Sequence, residues 1–169
     1  MERIQLLKDW VKGQFPDKLF TVKAVSADAS FRQYFRIFVD GQTFIVMDAP
    51  PQQEDCTPFL QVAGILAMTG AHVPKVLAKN LHQGFLLLSD LGNTTYLQAL
   101  TAQMDKADHL YKDAVDALIK MQSSPHADSL PKYDEALLQR EINLFPDWYI
   151  PRHLKIDLKA KQTGELSDI

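Results

Sequence analysis

The sequence has few of the features that mark secreted or membrane proteins. Its single cysteine, Cys56, cannot form a disulfide within the chain, although such bonds are common in small secreted domains. The N-terminal segment MERIQLLKDW lacks the charged-then-apolar pattern of a signal peptide. No apolar run approaches the roughly 18 residues of a membrane span. The sequence therefore predicts a cytoplasmic protein without a membrane partner.

Basic charge is also sparse and scattered along the chain. The formal net charge is -3 at pH 7, and the sequence pI is about 5.9. Lys and Arg form no stripe that could neutralise the phosphates of DNA or RNA, so nucleic acid is not an expected partner. Internal repeats and low-complexity tracts are missing as well. The 169 residues are enough for one hydrophobic core, in one domain or a little more.

The first half of the sequence predicts one helix followed by strands. Apolar residues recur at helical spacing over residues 2–12, and residues 20–25 and 31–39 have the composition of strands. Asp40-Gly41 before QTFIVMD is a strong hairpin signal that leads into a third strand. Pro50-Pro51 ends this strand, because proline cannot continue a central ladder. Three antiparallel strands are expected.

A helix and two more strands follow, and the rest of the pattern is helical. Residues 54–69 have a helical pattern closed by Gly70, and two short apolar runs at 75–78 and 85–89 complete a five-stranded sheet. Apolar stripes between residues 110 and 145 indicate at least two further helices. Strands first and helices afterwards favour an α+β fold, with an N-lobe over residues 1–88, a hinge at 89–92 and a partial helical lobe over 93–169.

Four strings give the sequence a family resemblance. SADASFRQYFR, IVMDAPPQQEDCTPF, GFLLLSDLG and YDEALLQREINLFPDWY, in this order, resemble the bacterial anomeric kinases of N-acetylmuramate and N-acetylglucosamine. These kinases belong to the aminoglycoside-phosphotransferase superfamily. The resemblance covers about residues 20 to 155. It implies a protein-kinase-like fold in which a five-stranded antiparallel N-lobe binds ATP and joins a helical C-lobe, incomplete in this chain.

The resemblance places a phosphate-covering loop between the first two strands, at SADAS. Ser26 and Ser30 could donate hydrogen bonds to phosphate oxygens, whereas Asp28 would repel them unless it points to solvent or towards a metal. An ordinary polar hairpin turn has the same composition, so both interpretations stay open.

The second strand carries three candidate ligand contacts on one face. Alternation puts Arg32, Tyr34 and Arg36 on the same side. The resemblance implies that Tyr34 stacks on adenine and that a guanidinium offers bidentate donors to phosphate. Core packing for Tyr34 and solvated charge for the arginines are the alternatives.

One position departs from the kinase pattern. Met47 in IVMD stands where kinases of this kind carry a Lys, and after Glu54 and Asp55 the predicted helix contains no acidic residue to form its ion pair. If this alignment holds, Arg32 or Arg36 replaces the lysine. At the end of GFLLLSDLG, the resemblance implies that the Ser89 carbonyl and the Leu91 N–H group bind adenine, although a buried strand followed by a turn has the same sequence.

The catalytic motif of the superfamily, H-x-D-x-x-x-x-N, does not occur in this sequence. The nearest match is His126-Ala127-Asp128, but Tyr133 stands where the motif has Asn. Base and Mg²⁺ ligands are then expected outside this chain, which predicts no sugar-kinase activity for these residues alone. The last residues stop in mid-pattern, as expected if a truncation, an early stop or a frameshift ended the sequence. The other histidines show no metal-ligand spacing, and Cys56, which has no neighbour that would stabilise a thiolate, is expected to be a buried structural thiol.

Two functions from different classes remain. As an enzyme, the chain is part of an ATP- and Mg²⁺-dependent amino-sugar kinase of cell-wall recycling, with Arg140, Glu141, Trp148 and Tyr149 near the sugar. Helix surface and inter-helix packing are the alternative for these four. As a binding module, the chain is a non-catalytic nucleotide- or protein-binding remnant. An aminoglycoside-type antibiotic kinase is a third option. Uncovered helical stripes would favour self-association.

Overall fold

The structure is a computed structural model that describes residues 2–27, 30–123, 130–159, 162 and 164. Its elements follow the order that the sequence predicted, with strands first and helices afterwards. In chain order they are α1 (Arg3–Gln14), β1 (Phe20–Ala27), β2 (Gln33–Val39), β3 (Gln42–Asp48), α2 (Thr57–Met68), β4 (Val76–Asn80), β5 (Phe85–Ser89), α3 (Tyr96–Ala102), a 3₁₀ turn (Met104–Lys106), α4 (Ala107–Gln122), α5 (Glu135–Leu144) and a π-helix (Phe145–His153).

The five strands form one antiparallel sheet in the order β1-β2-β3-β5-β4, which confirms the predicted α+β fold class. β2 and β3 are joined at Asp40-Gly41, whose φ angles of 49° and 74° are both positive. A two-residue turn of this kind matches the right-handed twist of the flanking strands. Helix α2 begins at Thr57, later than predicted, because residues 50–54 are folded into a turn by hydrogen bonds from two N–H groups to the Pro50 carbonyl.

Each face of the sheet has its own hydrophobic core. On one face, Leu7 and Val11 of α1 pack against Ile37, Val46 and Phe85 of the strands. On the other face, which we call the α2 face, buried residues of β3, β5 and the segment before α2 pack against the helix: Met47, Ala49, Cys56, Leu86 and Leu88, with Phe59 and Leu60 partly buried. Cys56 is buried, as predicted for a structural thiol, and burial raises its pKa.

Helices α3 and α4 contain no buried residue. α3 begins with a capping box, in which the Thr95 hydroxyl accepts the Gln98 N–H bond and the Gln98 side chain accepts the Thr95 N–H bond. Along α4, one side carries large apolar side chains that are exposed: Tyr111, Val115, Leu118, Ile119 and Met121.

The chain divides into two compact units, residues 1–126 and residues 127–169. The first unit contains the sheet and helices α1 to α4. The second contains α5 and the π-helix, with Ile150 buried. The lobe and hinge limits predicted from the sequence stay a prediction.

Candidate functional site

The α2 face carries the side chains that the sequence singled out on β2. Across the ladder, Tyr34 pairs with Met47, and Arg36 pairs with Ile45. Tyr34 and Ile45 are partly buried against the core of this face. The predicted alternation is therefore observed, and the candidate residues of β2 share one surface with the predicted lysine position of β3.

Met47 is fully buried within that core. Its side chain lies between β5 and the residues that lead into α2, where a lysine ammonium would need a partner for its charge. The structure thus explains why an apolar residue is stable at this position. Any contact between Met47 and a nucleotide stays a prediction.

Arg32 forms an ion pair with a carboxylate just before α2. Its Nε atom lies 3.0 Å from Glu54 Oε2, with exposed side-chain fractions of 27% for Arg32 and 14% for Glu54. No other hydrogen bond joins the Arg32 side chain to the part of the chain that the structure describes. The sheet is therefore linked to the start of α2 by an arginine–glutamate pair, although both partners lie outside the positions where kinases place theirs.

Arg36 makes a more extensive set of contacts with the segment after β5. Its Nε atom lies 2.6 Å from Asp90 Oδ2 and its Nη2 atom lies 3.0 Å from Asp90 Oδ1, a bidentate pair. Nη2 also donates to the Gly92 carbonyl at 3.0 Å, and Nη1 donates to the Asn93 side-chain oxygen. The side chains of Arg36 and Asp90 are only 12% and 6% exposed. Most of this guanidinium is covered, and four of its five N–H donors make hydrogen bonds.

The carboxyl group of Asp90 responds to these contacts. Burial alone would raise its pKa, but hydrogen bonds from Arg36, from the Gly92 N–H group and from Thr43 outweigh burial and hold the pKa below its usual range. Asp90 is therefore ionised at neutral pH, and its charge fixes the Arg36 fork.

The β3–β5 ladder determines what the backbone of Ser89 can bind. The Ala49 N–H group donates to the Gly84 carbonyl at 2.8 Å. Because hydrogen-bonded and non-bonded pairs alternate along an antiparallel ladder, the bonds recur at every second pair from there. Phe44 and Ser89 then form a non-bonded pair. The Ser89 carbonyl points away from β3.

Lys75, on the β4 side of Ser89, does not donate a hydrogen bond to this carbonyl. Ser89 N–H donates to the Lys75 carbonyl at 2.9 Å, but Lys75 N–H donates to the Ser89 hydroxyl at 2.8 Å. Within the part of the chain that the structure describes, no group donates a hydrogen bond to the Ser89 carbonyl oxygen. The Leu91 N–H group likewise makes no hydrogen bond to the described residues, and Leu91 is half exposed. An acceptor and a donor two residues apart are thus available to a ligand.

The predicted phosphate loop is described only in part. Ser26 lies in β1 opposite Tyr34, next to a bulge in the β1–β2 pairing. The exposed Ser30 uses its hydroxyl to accept the Arg32 N–H bond at 3.2 Å. Asp28 lies outside the described residues, and so do His126 and Asp128 of the only H-x-D sequence.

The predicted sugar-side residues all lie in the second unit. Arg140 and Glu141 are exposed and contact each other at 3.2 Å. Tyr149 stacks between Phe145 and His153, with ring centroids 5.6 and 4.9 Å apart, and Trp148 is 55% exposed. Arg140 also lines a hollow of about 440 Å³ with Ala136, Gln139, Asn143, Leu144 and Asp147. The hollow and the aromatic stack belong to this unit alone.

Among the described residues, no group of three or more His, Cys, Asp or Glu side chains could hold a metal ion. The described helices also include none that is long and apolar enough to cross a membrane.

A comparison with protein families decides the classification. Residues 21–168 match the phosphotransferase enzyme family, APH. The chain belongs to this family. The match extends beyond the segment in which the four strings resembled it, and the five-stranded antiparallel sheet with helices agrees with the kinase-like fold that the resemblance implied.

Curated relatives of this chain have one name in common, N-acetylmuramate/N-acetylglucosamine kinase. The relative from Pseudomonas aeruginosa is 48% identical over 94% of this chain and 49% of its own length. The relative from Pseudomonas putida is 50% identical over 93% of this chain and 45% of its own, and that from Neisseria meningitidis 38% identical over 96% and 49%. The chain spans about half the length of these relatives.

The partners of both arginines were not predicted from the sequence. Glu54 fell at the start of the predicted helix and Asp90 in the predicted hinge, but neither was predicted to pair with an arginine, and Asn93 was not singled out. The alternation of β5, continued for one residue beyond Ser89, would have placed Asp90 on the same face as Leu88 and Arg36. For Glu54 the sequence contains no comparable signal, because a turn interrupts the chain before α2.

Proposed function

We propose that this phosphotransferase chain is the N-terminal, ATP-binding portion of an amino-sugar kinase that acts on N-acetylmuramate or N-acetylglucosamine in the cytoplasm, in the recycling of cell-wall sugars. One observation carries the proposal: relatives from two genera, 38–50% identical, align with more than nine-tenths of this chain and share that activity in their names. An antibiotic kinase or a non-catalytic remnant has no comparable support.

The end of β5 supports ATP as the nucleotide. Adenine presents an amino donor and a ring-nitrogen acceptor on one edge, and the Ser89 carbonyl and Leu91 N–H group offer the complementary pair. The nucleotide would then lie against the side of the sheet that carries Tyr34 and Met47, with Ser26 and Ser30 nearer its phosphates. Bound ATP supplies the transferable phosphoryl group.

Mg²⁺ does not fit the residues that the structure describes. Since they include no cluster of three metal ligands, the ligands of the ion that kinases use are expected outside them. The same holds for the catalytic base. We therefore expect these 169 residues alone to phosphorylate no sugar.

For the sugar, the second unit offers a surface with suitable chemistry. Arg140 and Glu141 supply charged hydrogen-bonding groups for hydroxyl and carboxylate oxygens. Trp148 supplies an exposed aromatic face against which the apolar face of a pyranose ring packs, whereas Tyr149, whose ring faces are covered by Phe145 and His153, can present only its edge. Substitution of Trp148 by Ala in a complete kinase that contains this chain should raise the KM for the sugar more than the KM for ATP. An equal change in both constants would remove Trp148 from the sugar site.

A proline substitution at residue 91 tests the nucleotide site directly. Leu91→Pro removes the N–H donor, which makes no hydrogen bond to the described residues, whereas Leu91→Ala keeps it. Loss of one hydrogen bond should weaken ATP binding by about tenfold in the proline variant and only slightly in the alanine variant. Isothermal titration of the chain with ATP measures both. Equal affinities in the two variants would refute base recognition at Leu91.

A further inference from the structure

We propose that the two arginines on the α2 face have separate tasks: Arg36 positions the hinge backbone that binds the base, and Arg32 is the cation that binds the nucleotide phosphates. This inference rests on the proposed function, since it assigns residues to parts of the same ATP site. It also answers how a kinase-like lobe functions with a buried methionine at the lysine position of β3.

Arg36 has at most one N–H donor left for a phosphate. Its guanidinium makes hydrogen bonds to both Asp90 oxygens, to the Gly92 carbonyl and to the Asn93 side chain, and it is 12% exposed. A guanidinium has five N–H donors in a planar fork, and four are in use. All of these acceptors lie on the segment after β5, so the bonds fix this segment against the sheet.

The segment that Arg36 fixes includes both candidate base-binding groups. Leu91 lies between Asp90 and Gly92, which Arg36 holds on either side, and Ser89 directly precedes Asp90. The Asp90 carboxylate also accepts the Gly92 N–H bond at 2.9 Å, which closes a tight turn around Leu91. Arg36 therefore positions the Leu91 N–H group without contacting the base.

Arg32, unlike Arg36, makes few hydrogen bonds to the described residues. It holds one carboxylate through Nε, and neither Nη atom donates to any described residue. Its side chain is 27% exposed, more than twice the fraction for Arg36. Two free donors of one guanidinium edge can bind two oxygens of a phosphate. The Glu54 contact restrains the side chain, much as a carboxylate orients a phosphate-binding lysine.

The two residues are also at different distances from the hinge. Arg32 directly precedes β2, beside Ser30 and the β1–β2 loop, whereas Arg36 lies four residues further along and reaches the segment after β5. At about 3.3 Å per residue, their Cα atoms are about 13 Å apart along the strand. Arg36 thus lies nearer the base of the bound nucleotide, and Arg32 lies nearer its phosphates.

The experiment compares ATP with adenosine on matched variants of this chain, by displacement of a fluorescent ATP analogue. Arg32→Met should weaken ATP binding by at least about tenfold and adenosine binding by less than about twofold. Arg36→Met should weaken both ligands by the same factor. If Arg36→Met does not fold, Arg36→Met/Asp90→Asn removes both charges of the pair and should give the same equal loss.

Conservative variants separate positioning from charge. Arg32→Lys keeps a cation at the phosphate end and should restore ATP affinity to within about threefold of the wild type. Arg36→Lys cannot make the bidentate fork and should remain impaired for both ligands. A purely structural role for both arginines predicts no difference between ATP and adenosine in any variant.

The outcomes distinguish this inference from the proposed function. If the wild-type chain binds no ATP, the proposed function is wrong and the inference with it. If the wild type binds ATP but Arg32→Met weakens ATP and adenosine alike, or weakens neither, the assignment of Arg32 is overturned while the proposed function stands. If Arg36→Met weakens ATP but leaves adenosine unchanged, then Arg36 binds phosphate and the proposed division is wrong.

Discussion

Two aspartates, each paired with an arginine, have pKa values shifted in opposite directions. Burial raises the pKa of Asp48, and the hydrogen bond and charge of Arg3 offset this only in part. For Asp90, the hydrogen bonds outweigh burial and the pKa is lowered. The difference lies in the number of donors: Asp90 accepts bonds from both ends of one guanidinium and from a backbone N–H group, whereas Asp48 depends on Arg3 alone.

The direction of each shift fixes how stability depends on pH. A lowered pKa means that ionised Asp90 stabilises the folded state at pH values above the ordinary carboxyl pKa. This contribution is lost as the pH falls through the lowered pKa of Asp90. A raised pKa means that the folded state binds the Asp48 proton more tightly than the unfolded chain does. The Asp48 contribution is therefore greatest at low pH and decreases as the pH rises through the raised value.

Arg3→Met tests the Asp48 pair. The variant leaves a buried carboxylate without its partner, so at neutral pH it should lose about 3 kcal/mol of unfolding free energy. Below the ordinary carboxyl pKa of about 4, where Asp48 is protonated, the loss should be much smaller. Urea unfolding at both pH values measures this, with Arg3→Lys as the control that keeps the charge. The same loss at both pH values would show that Arg3 acts through packing on Phe85 instead.

At the scale of single elements, the features that were predicted correctly from the sequence are those that neighbouring residues determine. The Asp40-Gly41 turn, the alternation of β2 and the positive φ of Gly70 just after α2 follow from backbone preferences that neighbouring residues share. The helix that precedes β1 was expected, but its docking through Arg3 to Asp48 was not, because these residues are 45 positions apart. Pairings over such distances depend on topology, which local patterns leave open.

Gly84, directly before β5, lies where the fold has no room for a side chain. Its φ is +74°, and a Cβ atom there would lie 1.8 Å from the Ala49 carbonyl oxygen. Gly41 has the same φ, yet a Cβ atom there would meet nothing within 4 Å. Gly41→Ala should therefore cost only the strain of the left-handed conformation, about 1 kcal/mol. Gly84→Ala should cost at least about 2 kcal/mol more, because backbone must move.

Thermal or urea unfolding of the two glycine variants provides the comparison. The Ala49 N–H bond to the Gly84 carbonyl should also lose hydrogen-exchange protection in Gly84→Ala and keep it in Gly41→Ala. Equal destabilisation of the two variants would mean that the β3–β5 contact tolerates a methyl group.

At the scale of the whole molecule, the exposed apolar side of α4 predicts self-association of these residues. Val115→Lys/Leu118→Lys should shift the chain towards monomer in sedimentation velocity, because it charges two exposed positions of that side. Asp116→Lys changes the net charge by the same amount on the polar side and should leave the distribution unchanged. A wild-type chain that is monomeric at micromolar concentration would contradict the prediction.

The sequence also predicted the family, because four strings carry a family pattern that extends beyond any one element. The ATP site that this pattern implies stays a prediction. The sequence could not choose between Arg32 and Arg36, since both lie on one face of one strand and only their tertiary partners differ. It likewise gave no sign that the Ser89 hydroxyl replaces the carbonyl as the acceptor for Lys75.

The central claim, that this chain is the ATP-binding portion of an amino-sugar kinase, is tested most directly in a chimera. In it, residues 1–169 replace the aligned segment of the Pseudomonas putida relative, with which the chain is 50% identical. Transfer of labelled phosphate from ATP to N-acetylmuramate or N-acetylglucosamine is measured, with Leu91→Pro as the internal control. We predict transfer by the chimera and a marked loss in the proline variant. A folded chimera that binds ATP and phosphorylates neither sugar would contradict the account.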